Sequence, residues 1–154
     1  MIMSFTEKMT VNGRNVIIER PTSPIAVDRV DPAGLQLSVI DVFSKDLIPD
    51  NYDKAEGTPQ TLFTAEGLKV DLSKRTKQAM GFWHRNCDYE ELIFCIKGSI
   101  HWETELGELT LQAGQMFVIP RGIAHRSMPG QTDTENVVLE LKVGSELHRV
   151  NPEK

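Results

Sequence analysis

The sequence is short of cysteine, of basic residues and of long apolar runs. Its two cysteines, Cys87 and Cys95, form neither a CxxC pair nor the framework of a disulfide-rich secreted domain. Acidic residues outnumber basic ones by 22 to 17, which gives a net charge of -5, so no cationic face for nucleic acid is expected. No apolar segment reaches the length of a membrane span, and the N-terminus lacks the apolar core of a signal peptide. We therefore expect a cytoplasmic protein with neither a nucleic-acid nor a membrane partner.

Sustained helical periodicity is also missing, because no segment keeps a 3.6-residue apolar period for more than about two turns. Residues 35–42 instead alternate with period two, and glycines recur at intervals near eight residues in the second half. This pattern predicts an all-β fold of two antiparallel sheets, arranged as a sandwich or small barrel with little helix. The predicted strands are 15–19, 35–43, 60–64, 68–72, 78–86, 91–96, 99–104, 108–112, 115–119, 124–128 and 136–143.

The length of 154 residues suits one domain, 1–154, with a core that needs no disulfide or metal to fold. Within it we expect an N-terminal arm over about residues 1–30. The residues that carry chemistry concentrate in a core segment, 78–143.

The first chemical motif runs through a predicted strand and the turn that follows it. His84 and Asn86 share one face of that strand, since side chains alternate. Glu91 opens the next strand, and Gly98 follows it after six residues. If Glu91 faces the same interior as the first pair, a carboxylate lies opposite an imidazole.

The second motif lies about fifteen residues later. Gly114 is followed after five residues by a turn through Pro120 and Gly122, and two residues separate Gly122 from His125. Strands that bring His84, Glu91 and His125 together would assemble two imidazoles and one carboxylate. That ligand set suits divalent iron and its neighbours and leaves coordination positions open.

Together the two motifs resemble those of the cupin superfamily, whose fold is a double-stranded β-helix, a jelly-roll barrel of two antiparallel sheets. In the usual pattern a second histidine stands where this chain has Asn86, and an asparagine stands where it has Pro129. The segments 84–88, 104–107 and 118–122 further resemble the N-terminal, cupin-like half of homogentisate 1,2-dioxygenase. That half generally lacks ligands at the positions of Glu91 and His125, so this chain departs from it toward a working metal site.

The resemblance and the spacing lead to one divalent metal per chain, held by His84, Glu91 and His125, with Asn86 as a weaker fourth ligand. Fe²⁺ is favoured, and Mn²⁺, Ni²⁺, Zn²⁺ and Cu²⁺ are compatible with the same donors. The alternative is a degenerate barrel whose polar pocket holds only water.

Three further side chains are weaker candidates for binding a small-molecule substrate. Phe82 and Trp102 could line an aromatic pocket, although core packing alone accounts for both. Arg121 could take a substrate carboxylate in bidentate fashion, although a surface or turn role is the more common use.

The leading functional hypothesis is an iron-type dioxygenase, or a related metal-dependent enzyme, acting on a small organic molecule. The alternatives are a non-catalytic cupin that binds a ligand as a sensor or accessory subunit, and a metal-dependent isomerase or epimerase. A homodimer is expected, because the outer face of strand 91–96, formed by Leu92, Phe94 and Ile96, is apolar and needs a cover.

Overall fold

The computed structural model describes residues 5–21, 34, 36–47, 59–75, 83–130 and 135–151. The chain divides into two compact units, residues 1–39 and residues 40–154. The described secondary structure consists of strands and one 3₁₀ turn, Lys45–Leu47, and none of it is a helix long and apolar enough to cross a membrane. The strands are β1 (Phe5–Val11), β2 (Arg14–Arg20), β3 (Gln60–Ala65), β4 (Leu68–Arg75), β5 (Glu90–Lys97), β6 (Ser99–Thr104), β7 (Gly107–Gln112), β8 (Met116–Ile119), β9 (His125–Pro129) and β10 (Asn136–Val143).

The first unit contains an antiparallel hairpin of β1 and β2. Its two-residue turn is Asn12-Gly13, and both residues have positive φ, 50° and 74°. Asn-Gly is the strongest short signal for such a turn, because both positions must adopt the left-handed region. The predicted arm over about residues 1–30 therefore contains a hairpin in its described part, of which the sequence analysis found only β2. Residues 22–30 of that arm lie outside the described residues.

The second unit holds two antiparallel sheets. One has five strands in the order β3-β4-β10-β5-β8, and the other has three in the order β7-β6-β9. The all-β prediction of two antiparallel sheets is confirmed, and the predicted strands 60–64, 68–72 and 91–143 match β3 to β10 to within a few residues at their ends.

The core lies between the inner faces of these two sheets. Ile93 and Cys95 of β5 and Val138 of β10 contribute from the five-stranded sheet, while Ile100 and Trp102 of β6 contribute from the other. Each of these side chains is at most 3% exposed. Alternate residues of β5 are therefore buried inward, as its sequence pattern predicts.

Gly98 joins β5 to β6 and explains why the first motif ends in glycine. Its φ is 78°, and a Cβ at this position would come within 2.5 Å of the Asn136 side chain and of the Glu135 carbonyl oxygen. A larger residue would therefore be both strained and in collision with the start of β10.

Two predicted strands differ from the structure. The described residues of the 35–43 segment form no strand, and Leu37 and Val39 are 97% and 90% exposed. An alternating pattern marks a strand only where a neighbouring strand and a core are available, and no described strand pairs with this segment. Of the predicted strand 78–86, residues 78–82 lie outside the described residues, and only His84 makes a bridge in the remainder.

Candidate metal centre

His84 and His125 meet through their backbones. The His84 N–H donates to the His125 carbonyl oxygen at 3.1 Å, and the His125 N–H donates to the His84 carbonyl oxygen at 2.8 Å. Residues that exchange both bonds across an antiparallel pair point their side chains to the same face. The two imidazole rings accordingly lie edge to face with centroids 4.3 Å apart. This bridge places the two sequence motifs side by side.

The second turn is tied to the first motif as well. The Gly122 N–H donates to the Asn86 carbonyl oxygen at 2.7 Å, and the Ile123 N–H closes a turn onto the Pro120 carbonyl oxygen at 3.2 Å. The proline and glycine spacing thus sets where β9 begins, and His125 is its first residue.

The orientation of the His125 ring is fixed by its own turn. Its Nδ1 lies 2.9 Å from the Ile123 carbonyl oxygen, which can only accept, so Nδ1 carries the hydrogen in this contact. In the neutral ring Nε2 then presents its lone pair inward. Nε2 is buried without a hydrogen-bond partner among the described residues, and the nearest charged atom is Glu91 Oε2 at 3.3 Å.

Glu91 and His125 are both inside the protein, at 5% and 1% exposure. A carboxylate oxygen and an imidazole lone pair are both acceptors, so they repel unless a cation lies between them. A proton on Nε2 can serve as that cation in the metal-free chain. Burial by itself lowers the pKa of His125, but the hydrogen bonds to Glu91 and to the Ile123 carbonyl, together with the charges of Glu91 and Glu140, outweigh burial and the pKa is raised.

Asn86 holds the other oxygen of this carboxylate. Its Nδ2 donates to Glu91 Oε1 at 2.6 Å, and its Oδ1 accepts from the Tyr89 hydroxyl at 3.0 Å. Because a carboxylate can only accept, the amide nitrogen must face Glu91, and this fixes the orientation of the amide. The amide oxygen predicted as a weak fourth ligand is thus occupied by Tyr89, and Asn86 orients Glu91.

These residues fit a divalent metal in part. Two donors bound to adjacent positions of one ion, each at about 2.1 Å, are about 3 Å apart, which is close to the 3.3 Å between Nε2 and Oε2. His84 lies beside this pair, but no group of three His, Cys, Asp or Glu side chains among the described residues is arranged to hold an ion. The structure therefore assembles two donors directly and places the third predicted ligand next to them.

The weaker substrate candidates have different surroundings. Phe82 lies outside the described residues. Trp102 is a core residue whose ring centroid is 5.9 Å from that of His125 and 5.4 Å from that of Phe117. Arg121 is exposed and donates to the Gly144 carbonyl oxygen at 2.8 Å, so it joins a turn to the end of β10.

A group of charged side chains on the same inner face was missed by the sequence analysis. Lys142 lies directly opposite Glu91 on β10, and Glu140 lies opposite Ile93, so both face inward. Asp71 and Lys69 of β4 lie opposite these two and share their face. We call Lys69, Asp71, Glu140 and Lys142 the charged cluster.

Asp71 is the centre of the charged cluster and is fully buried. Its Oδ2 accepts from Lys142 Nζ at 2.8 Å and lies 3.4 Å from Lys69 Nζ, while its Oδ1 accepts from the Thr61 hydroxyl at 2.7 Å. Burial raises the pKa of Asp71, but the bonds from Lys142 and Thr61 outweigh burial and the pKa is lowered. Burial by itself lowers the pKa of Lys142, but the hydrogen bond to Asp71 and the charges of Glu140, Asp71 and Tyr89 together outweigh burial, so this pKa is raised. Both Asp71 and Lys142 are therefore charged at neutral pH.

The chain matches one known protein family over most of its length. The family model for the N-terminal region of homogentisate 1,2-dioxygenase matches residues 44–148. The chain belongs to this family. It is a small cupin domain, and the predicted superfamily and fold class are confirmed. None of the curated proteins matches this member of the homogentisate 1,2-dioxygenase N-terminal family.

Solved structures resemble this cupin domain at low sequence identity. A protein of Ralstonia eutropha whose suggested activity is mannose-6-phosphate isomerase is 21% identical, with a TM-score of 0.58 over 71% of this chain and all of its own. A protein of Neisseria meningitidis is 18% identical, with a TM-score of 0.54 over 69% of this chain and 99% of its own. A cupin-2 domain protein of Shewanella frigidimarina is 24% identical, with a TM-score of 0.48 over 56% of this chain and 79% of its own. The first two likenesses show the fold alone.

Proposed function

We propose that this cupin domain binds one divalent metal ion, Fe²⁺ by preference, and acts as a dioxygenase or related metal-dependent enzyme on a small organic molecule. One observation carries the proposal. The lone pair of His125 Nε2 and the carboxylate of Glu91 face each other at 3.3 Å inside the protein, in the tautomer that a metal needs.

The chain's own residues have distinct roles in this proposal. Glu91 and His125 would supply the first two ligands. The ring of His84, which lies edge to face with that of His125, would rotate toward them to supply the third. The carbonyl of Ile123 and the amide of Asn86 hold the two ligands in place, as outer partners of metal sites do. The bound iron would supply a Lewis acid with open positions for substrate and oxygen.

The alternative function is a non-catalytic cupin that binds a ligand as a sensor or accessory subunit. It is favoured by the absence of a three-residue ligand group among the described residues. A metal-dependent isomerase is compatible with the same donors, and one structural relative has that suggested activity.

The decisive experiment is metal analysis of protein purified without chelators and then reconstituted with Fe²⁺ under nitrogen. We expect about one ion per chain, and we expect His125→Ala and His84→Ala to lose it while remaining folded. Asn86→Ala should weaken metal affinity by about 10- to 100-fold without abolishing it, since it removes an outer partner and no ligand.

His101→Ala is the matched control. Its ring lies on β6 and contacts Thr110 and Glu108, so stoichiometric metal should persist. Wild-type protein that takes up no metal under any condition, or histidine variants that keep all of it, would overturn the proposal in favour of the non-catalytic alternative. Oxygen uptake with hydroquinone and catechol acids then separates a dioxygenase from an isomerase.

We further propose that the protein is a homodimer joined through the outer face of the five-stranded sheet. Met116 and Val118 of the edge strand β8 lie opposite Phe94 and Leu92, and both are exposed, Met116 at 61%. An exposed apolar edge strand readily pairs with another chain, so we expect a second copy of this chain to cover β8.

Light scattering should give about twice the monomer mass of 17.3 kDa. A double variant, Met116→Lys with Val118→Lys, should be monomeric. Val150→Lys serves as the control, because Val150 is 89% exposed and lies on no strand of that sheet. A wild-type protein that remains monomeric at micromolar concentration would contradict the proposal.

A further inference from the structure

A cavity of about 310 Å³ opens at the end of the five-stranded sheet that carries Lys142. The β3–β4 hairpin, the end of β10 and the loop before β5 line it. Its volume is at the lower end of the range for small-molecule sites. Most of the lining is glycine backbone and apolar side chain, including Ala65, Leu68 and the Tyr89 ring.

The charged groups in the lining favour an anion. Lys69 and Lys142 contribute two ammonium groups, and Asp88 contributes one carboxylate. Asp71 and Glu140 lie behind Lys142 and are not part of the lining. The lining itself therefore holds two ammonium groups and one carboxylate, while the buried carboxylates of Asp71 and Glu140 balance the lysines from outside it.

The ammonium group of Lys142 has N–H donors that make no hydrogen bond among the described residues. Its ammonium group carries three N–H donors, and among the described residues it makes one hydrogen bond, to Asp71 at 2.8 Å. Glu140 Oε2 is 3.8 Å away, beyond hydrogen-bond distance. The ammonium also lies 5.7 Å from the centroid of the Tyr89 ring, within the range of a cation–π contact.

Stability alone is a weak reason for this arrangement. A buried ion pair is often no more stabilising than apolar side chains of similar volume, because each charge loses its hydration. The same inner face is filled by Ile93, Cys95 and Val138 only a few residues away. A mostly apolar cavity with a few polar or charged groups in its wall is instead the common form of a binding site.

We propose that this cavity is a binding site for a small carboxylic acid, whose carboxylate takes the remaining donors of Lys142 and whose apolar body packs against Leu68 and the Tyr89 ring. The cavity adjoins the candidate metal centre through Tyr89, which donates to Asn86, which in turn donates to Glu91. The inference rests on the proposed function only where it takes the bound acid to be the enzyme's substrate. Binding of the acid does not itself require the metal.

The test uses three probes of nearly the same shape: benzoate, benzamide and benzylamine. Titration calorimetry is run at pH 7 and low salt, on the full chain with EDTA and again after loading with Fe²⁺ under nitrogen. Benzoate should bind at least tenfold more tightly than benzamide, and benzylamine should not bind, because only the anion pairs with Lys142.

Lys142→Met should weaken benzoate binding by at least tenfold and leave benzamide binding unchanged. A double variant, Lys142→Met with Asp71→Asn, repeats the measurement without an unpaired buried carboxylate at position 71, in case the single variant does not fold. Lys97→Met is the control, since Lys97 lies at the far end of β5 and pairs with Glu135.

The metal state separates the two proposals. Binding of benzoate to metal-free protein, sensitive to Lys142, supports the site even if no metal is ever taken up. Binding that appears only with iron and is indifferent to Lys142 places the carboxylate on the metal and overturns the inference. Equal affinity for benzoate and benzamide, or no binding of either, also overturns it.

Discussion

The inner face of the five-stranded sheet is apolar at one end and charged at the other. At the apolar end Ile93, Cys95 and Val138 pack against Trp102 of the opposite sheet. At the charged end Glu91 faces His125, and Asp71 and Lys142 form a buried pair. The same strands run through both ends, so one scaffold separates the residues that hold the fold from the residues that we propose to bind ligands. The predictions below test this division, from the largest expected change to the smallest.

Lys142→Met should have the largest effect on stability. It leaves Asp71, which is fully buried, without its closest cation, and breaking such a pair costs about 3–5 kcal/mol. Replacing both partners, with Asp71→Leu added, should recover most of that loss, because no unpaired charge remains. Urea denaturation measures both, and a single variant as stable as the wild type would show that the pair is not isolated from water.

Ile93→Ala should cost about 2–5 kcal/mol by opening a void at the apolar end. Metal content of the folded protein should not change, since the Ile93 side chain supplies no ligand atom. Ile93→Val is the graded control and should cost about 0.5–1.5 kcal/mol. Loss of metal in the folded Ile93→Ala protein would mean that the two ends are not independent.

Glu91→Gln in metal-free protein should have a smaller effect that depends on pH. Glu91 raises the pKa of His125, so the stabilisation is complete below the ordinary value of about 6.5 and is lost as pH rises through the raised folded value. We expect Glu91→Gln to destabilise the protein at pH 6 and to leave its stability unchanged or raised at pH 9. Thermal unfolding with EDTA at pH 6 and at pH 9 checks this. An equal loss of stability at both pH values would refute a proton shared between Glu91 and His125.

Lys97→Met should change least. Lys97 and Glu135 form a pair at 2.9 Å whose lysine is half exposed, and such surface pairs contribute less than about 1 kcal/mol. A larger loss by urea denaturation would show that exposure does not distinguish this pair from that of Asp71 and Lys142.

The candidate site was predictable in part because local spacing carries it. The turn through Pro120 and Gly122 sets the start of β9, and His125 follows it at a fixed interval. Glu91 is predicted inward from the alternation of β5, which Ile93 and Cys95 confirm. Local rules such as these act over a few residues and can therefore be read from the sequence.

The charged cluster was not predictable from the same rules. In β10 the apolar residues Val137, Leu139 and Leu141 alternate with Val138, Glu140 and Lys142, and such a pattern normally places the charged face in water. The structure turns Glu140 and Lys142 inward instead, because Lys142 finds its partner on β4, 71 residues earlier in the chain. Only the pairing of distant strands supplies the opposite charge that makes this burial tolerable.

The sequence by itself determined the all-β class, most strand positions in the second unit, and the inward direction of Glu91. These follow from side-chain alternation and from turns that need glycine or proline, which are properties of neighbouring residues. Tertiary structure alone decided that Asn86 would support Glu91 and that Asp71 and Lys142 would meet. The physical reason is that a buried charge or lone pair is stabilised only by partners that chain folding brings from far away, and no local pattern records them.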